Sequence, residues 1–137
     1  MKTPMIRREN WPEALHDFID ARAAWPFAWG THDCCAFSAD AVEIMTGIDP
    51  MTDLRGYHDA ASAQDVLDAQ SGLQAAVTAR LGNPIATARA QRGDVVMVEV
   101  DQIQALAICL GDIAAVPGPR RVQFVDRACW LTAWRIG

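Results

Sequence analysis

Cys34 follows Asp33 where the turn Trp29-Gly30-Thr31-His32 gives way to a run with helical periodicity, Phe37, Ala41 and Ile44 or Met45. That order predicts a thiol in the first turn of a helix capped by the Asp33 carboxylate. Unpaired backbone N–H groups and the positive end of the helix dipole both favour a thiolate there. Such positions turn an inert cysteine into a nucleophile. The implied chemistry is attack of the Cys34 sulfur on a carbonyl carbon, with the backbone N–H of Cys34 or a neighbour holding the oxyanion. Asp33 works against this, because its charge repels a thiolate.

A thiol nucleophile needs a base within hydrogen-bond reach. The chain offers three imidazoles, His16, His32 and His58. His16 falls on the first predicted helix and reads as a surface residue. His32 stands two residues before Cys34, in the turn, where its ring can cap or brace the loop. His58 lies in the irregular stretch Arg55-Gly56-Tyr57-His58-Asp59, which can fold over the Cys34 helix, and loops carry function disproportionately. His58 and His32 are therefore the candidate bases. Trp25, Phe27 and Trp29 are expected to wall the entrance beside the helix start, and Trp29, Asp33 and Cys35 are the candidate cleft residues.

Cys35, Cys109 and Cys129 read as reduced, mostly buried thiols. Adjacent Cys34 and Cys35 lack the Cys-x-x-Cys spacing of a zinc site, and no metal or cofactor is expected. A disulfide between them is strained inside a helical turn, which argues against a redox pair. Asp94, after Gly93, reads as a turn residue opening a strand. Trp130 and Trp134, beside Arg135, read as packing on a sheet or as interface anchors.

The elements that must position Cys34 follow in order. Asn10-Trp11-Pro12-Glu13 predicts a helix capped by Asn10 and running to about Ala24, before Trp25-Pro26. The Cys34 helix should stop at Gly47, ahead of Asp49-Pro50. Residues 50 to 61 read as irregular, and two short helices follow over 62–69 and 73–81, parted by Gly72 and ended by Gly82-Asn83-Pro84. Asp94 to Val100 and Ile103 to Leu110 are strand-like and joined through Asp101-Gln102 as a hairpin. Strands over 113–116 and 121–125 follow, and 128–136 reads as a closing strand or turn. Helices first and antiparallel strands afterwards make an α+β pattern, in one domain over 1–137.

The 137 residues are 51% apolar and 21% charged, enough to bury a core without a metal or disulfide. The net charge of −5 argues against nucleic acid or an anionic membrane as partner. Arg120-Arg121 is too small a basic patch to reverse that. No apolar run approaches the roughly 20 residues of a membrane span. The charged segment Met1 to Asn10 leads into no apolar stretch, so no secretory signal peptide is expected.

A cysteine-bearing helix followed by a small antiparallel sheet is the layout of papain-like cysteine hydrolases. Gly30-Thr31-His32-Asp33-Cys34-Cys35-Ala36-Phe37 resembles the Gly-x-x-Asp-Cys-Ser-Gly-Phe segment of NlpC-type cell-wall peptidases. Arg92-Gly93-Asp94-Val95-Val96 resembles that family's Pro-Gly-Asp-Leu-Val, and Ala105-Leu106-Ala107-Ile108-Cys109-Leu110-Gly111 its His-Val-Gly-Ile-Tyr-x-Gly strand. The likeness runs from about Trp25 to the C-terminus, leaving the helix within residues 1–24 outside it. It is nearest to short phage-encoded NlpC-like proteins found among tail genes. The resemblance implies Cys34 as the nucleophile position and a basic histidine where this chain has Ala105. It implies a third polar residue around Ala114 to Val116, where nothing is polar.

Two functions follow as expectations. One is a structural or binding module of a phage tail, with an NlpC-like fold retained without hydrolysis. Its partners would be other tail proteins, and its location the virion tail or, before assembly, the host cytoplasm. The other is an active thiol peptidase or amidase cutting peptidoglycan stem peptides, with Cys34 as nucleophile and His58 or His32 as a non-standard base.

Overall fold

The computed structural model describes residues 5–137. Helix α1 spans Trp11–Arg22 and buries Leu15, Phe18 and Ile19. It ends two residues before the expected Ala24, in a turn closed by the Trp25 N–H on the Arg22 carbonyl (3.0 Å). Asn10 precedes it but makes no side-chain capping bond. Its φ of −91° and ψ of 17° depart from the extended conformation that aims a cap side chain at the first turn. The helix start is held instead by the Trp11 N–H on the Arg8 carbonyl (3.1 Å).

Helix α2, Cys34–Thr46, begins at an extended Asp33 whose carboxylate accepts the Ala36 N–H. It ends at Gly47, whose φ of +81° suits glycine's freedom in the left-handed region. Phe37, Ala41, Val42 and Met45 form its inner face, and Ile44 turns outward. Helix α3, Ala60–Ala69, starts two residues before the expected Ser62, because Asp59 and Ser62 form a reciprocal capping box. Helix α4 covers Leu73–Leu81.

Five strands complete the chain: β1 Val95–Val100, β2 Ile103–Cys109, β3 Ile113–Pro117, β4 Val122–Asp126 and β5 Trp130–Trp134. They form one antiparallel sheet in the order β4-β3-β2-β1-β5. Asp101 and Gln102 close the β1–β2 hairpin with φ of 51° and 66°, the left-handed pair that matches the twist of the strands.

Val95, Met97, Leu106 and Ile108 face α1 and α2, and with Phe37 and Met45 they make the main core. Val96, Val98, Ala107 and Ala114 make a second core on the other face. Trp130 and Trp134 both pack on the sheet, but on opposite faces, although residues four apart on a regular strand share one. The reason is a bulge. Thr132 pairs with Met97 while Trp130 pairs with Val98, so Leu131 is an extra residue that reverses the alternation.

Asp94 does more than open a strand. Fully buried, it accepts hydrogen bonds from Arg7 (2.8 Å) and from the Gln91 and Ile136 N–H groups (2.9 and 3.0 Å). Arg7 also donates to the carbonyls of Arg92 and Ile136 and stacks over Trp11 at 4.2 Å. This ion pair joins the segment before α1 to the last residues of the chain. Burial lowers the Arg7 guanidinium pKa, with Asp94 opposing.

Candidate functional site

Cys34 is the first residue of α2, half-buried between the two cores, with Ala105 and Leu106 of β2 beside it. The turn in front of it is fixed by Asp33. One carboxylate oxygen accepts the Ala36 N–H (2.9 Å) and the Tyr57 hydroxyl (2.8 Å); the other accepts the Gly30 N–H (2.7 Å). With these three bonds Asp33 serves as cap and loop anchor. Gly30 has φ of +83°, and a side chain there would run into the Tyr57 carbonyl. The two loops therefore close on each other only through glycine.

The Cys34 and Cys35 sulfurs lie 3.9 Å apart. The Cys35 S–H donates to Cys34, which lowers the Cys34 pKa below the ordinary thiol value. Burial and the Asp33 charge oppose this, and hydrogen bonds from the Leu106 and Cys35 backbone N–H groups assist it. Cys35 moves the other way, well above the ordinary value, because it holds the shared proton and is buried. The activation of Cys34 thus comes from a second thiol and from backbone. Tyr57 is pushed upward by burial, with the adjacent Asp33 accepting its hydrogen bond and repelling a phenolate. It remains a neutral donor.

Cys34 and Cys35 open into a cleft of about 820 Å³ that also includes Trp29 and Asp33. Its walls come from α2, α3, α4, the hairpin end of β1 and β2, and the loop after β3. Most of the lining is aliphatic, and Phe27 and Trp29 stack edge to face at its mouth with centroids 4.8 Å apart. Ala105 lies in this cleft, as does Val116 of β3.

No imidazole lines it among the described residues. His58 points to solvent, its side chain 80% exposed, with Nε2 3.5 Å from Asp59. His32 is only 1% exposed and packs between Trp25 and Phe37 at 5.4 and 5.6 Å. Its Nδ1 lies 3.5 Å from Arg22, and its Nε2 has no partner among the described residues. Burial and the Arg22 charge lower its pKa, against Asp33 and Asp40, which disfavours the protonated ring. The structure brings Trp29, Asp33, Cys34 and Cys35 together and leaves His32 and His58 outside the cleft. His16 is on the surface, 3.2 Å from Asp20. No three His, Cys, Asp or Glu side chains converge as a metal-ligand set among the described residues.

Two contributors escape a reading of the sequence. Tyr57, the single tyrosine, ties the loop after Gly56 to Asp33; its place in a polar loop was the available signal. Ser38 lies one helical turn beyond Cys34 in the cleft wall, and nothing in the sequence distinguishes it from a helix filler.

A cysteine at the start of a helix packed on a five-stranded antiparallel sheet defines an α+β protein. The fold is similar to the crystal structure of a "similar to lipoprotein, NLP/P60 family" protein from Staphylococcus aureus subsp. aureus Mu50. The TM-score is 0.56 at 15% identity, over 99% of this chain and 44% of that one, so this chain spans less than half of its neighbour's length. Residues 6–136 match the family described as Domain of unknown function (DUF6950), and the chain belongs to that family. No curated protein matches the sequence.

Proposed function

We propose that this protein is a degenerate cysteine-hydrolase fold serving as a structural or binding module of a phage tail assembly, with other tail proteins as partners. One observation carries the loss of hydrolysis. Cys34 faces an apolar cleft in which the position expected to hold the base is Ala105, and no described imidazole lines that cleft. Amide hydrolysis needs a proton delivered to the leaving nitrogen and another taken from water. Asp33 is committed to Ala36, Tyr57 and Gly30. The tail setting is supported by the likeness of the Cys34, Asp94 and Ala105 segments to short phage-encoded NlpC-like proteins.

A second reading, a thiol peptidase or amidase acting on peptidoglycan, is favoured by the lowered Cys34 pKa. Incubating purified protein with peptidoglycan separates the two. Soluble fragments should not exceed those released by Cys34→Ala, and His58→Ala should change nothing. Fragment release that depends on Cys34 establishes the hydrolase and overturns the module.

A further inference from the structure

Cys34 is a nucleophile next to an apolar cleft, without the group that would finish a hydrolysis. We propose that Cys34 is an S-acylation site: it accepts an aliphatic acyl group from an activated thioester, and the cleft houses the chain. This rests on the reading that no base reaches Cys34.

Three observations converge. The sulfur stands at a helix start with the Cys35 sulfur 3.9 Å away, within hydrogen-bond reach. The cleft it opens into, about 820 Å³, falls in the range of small-ligand sites, and Leu54, Leu67, Leu73, Val77, Val100 and Ile103 give it aliphatic walls. Ser38 belongs to the same wall and is 3% exposed, and its buried hydroxyl has no hydrogen-bond partner among the described residues. Residues four apart on a helix are neighbours on one face, so Ser38 is placed to donate to an oxygen on a group attached to Cys34.

Charge favours an acyl carbonyl over a free acid. The charged residues of the cleft are Asp33, Asp101 and Arg80, and Arg80 is already paired with Asp53 at 2.8 Å. No uncommitted cation among the described lining residues would hold a carboxylate.

The chemistry balances without a base. The Cys34 thiolate attacks the thioester carbonyl and a new C–S bond forms. The donor's C–S bond breaks, and its thiolate departs and takes up the proton that Cys34 gave to solvent. A thiolate is a good leaving group and needs no acid, unlike the amine of an amide. Hydrolysis of the product would need an activated water, which nothing in the cleft provides, so the new thioester persists.

The test uses the full chain with palmitoyl-coenzyme A and acetyl-coenzyme A, followed by intact and peptide mass and by release of free coenzyme A. The expected result is one palmitoyl group per chain on Cys34, removed by hydroxylamine and absent in Cys34→Ala. It should form at least roughly tenfold faster than the acetyl adduct, since methylenes are recognised by an apolar site. Coenzyme A release should stop near one equivalent. Ser38→Ala should slow the reaction severalfold while unfolding at the same temperature or higher. No adduct, an adduct unchanged in Cys34→Ala, equal rates for the two donors, or an undiminished rate in Ser38→Ala overturns the acylation site alone. Cys34-dependent release well beyond one equivalent reveals a working base and overturns the loss of hydrolysis as well.

Discussion

At His32 the ring is held between Trp25 and Phe37, with Arg22 on one nitrogen and the other unpartnered. It braces the turn that delivers Cys34, and its protonation is resisted first by burial and then by Arg22, against Asp33 and Asp40. Its folded pKa is below the unfolded value of about 6.5, so the unfolded chain binds the proton more tightly. The stability His32 contributes is present above that pH and lost as pH falls below it. The denaturation midpoint of the wild type should therefore drop between pH 7 and pH 5, and His32→Phe should flatten that drop. Chemical denaturation at several pH values measures both. The sequence places His32 next to Cys34 and allows it to brace the loop or to act as base. Only packing separates these, because a residue two positions before a helix start can turn its ring either way.

The elements were legible where local chemistry decides them. Gly47 ends α2, Asp33 caps it, and Asp101-Gln102 turns the first hairpin. Asn10 misled because cap identity was legible but its backbone angles were not. The bulge at Leu131 was hidden for a different reason: an extra residue in one strand is defined by its partner strand, thirty or more positions away. The same holds for the loop carrying Tyr57, whose carbonyl lies against Gly30. Gly30→Ala combines a positive φ with that clash and should cost about 2–4 kcal/mol. Gly56→Ala also has a positive φ, but a Cβ there meets nothing within 4 Å, and it should cost about 1–2 kcal/mol. Paired melting curves of the two variants test whether the loop contact, beyond the backbone angle, matters.

Across the whole molecule, the order of elements and the position of Cys34 could be read from the chain, and the cleft could not. Its walls are assembled from α2, α3, α4, the β1–β2 hairpin and the loop after β3, and no window of sequence contains them. The helices and the sheet place the Cys34 thiol at the edge of a cleft whose lining is mostly apolar. The Arg7–Asp94 pair ties the segment before α1 to Ile136 and the start of β1. The lowered Cys34 pKa comes from Cys35 and backbone N–H groups, and no imidazole is among the described residues lining its cleft. The pH dependence of Cys34 alkylation, followed by peptide mass, tests it directly. The wild type should show one ionisation, below an ordinary thiol, that rises in Cys35→Ala and is unchanged in His58→Ala and His32→Phe. Ala105→His, which puts an imidazole in the cleft, should add a second ionisation. A second ionisation near about 6.5 already present in the wild type, and lost in either histidine variant, would contradict the account.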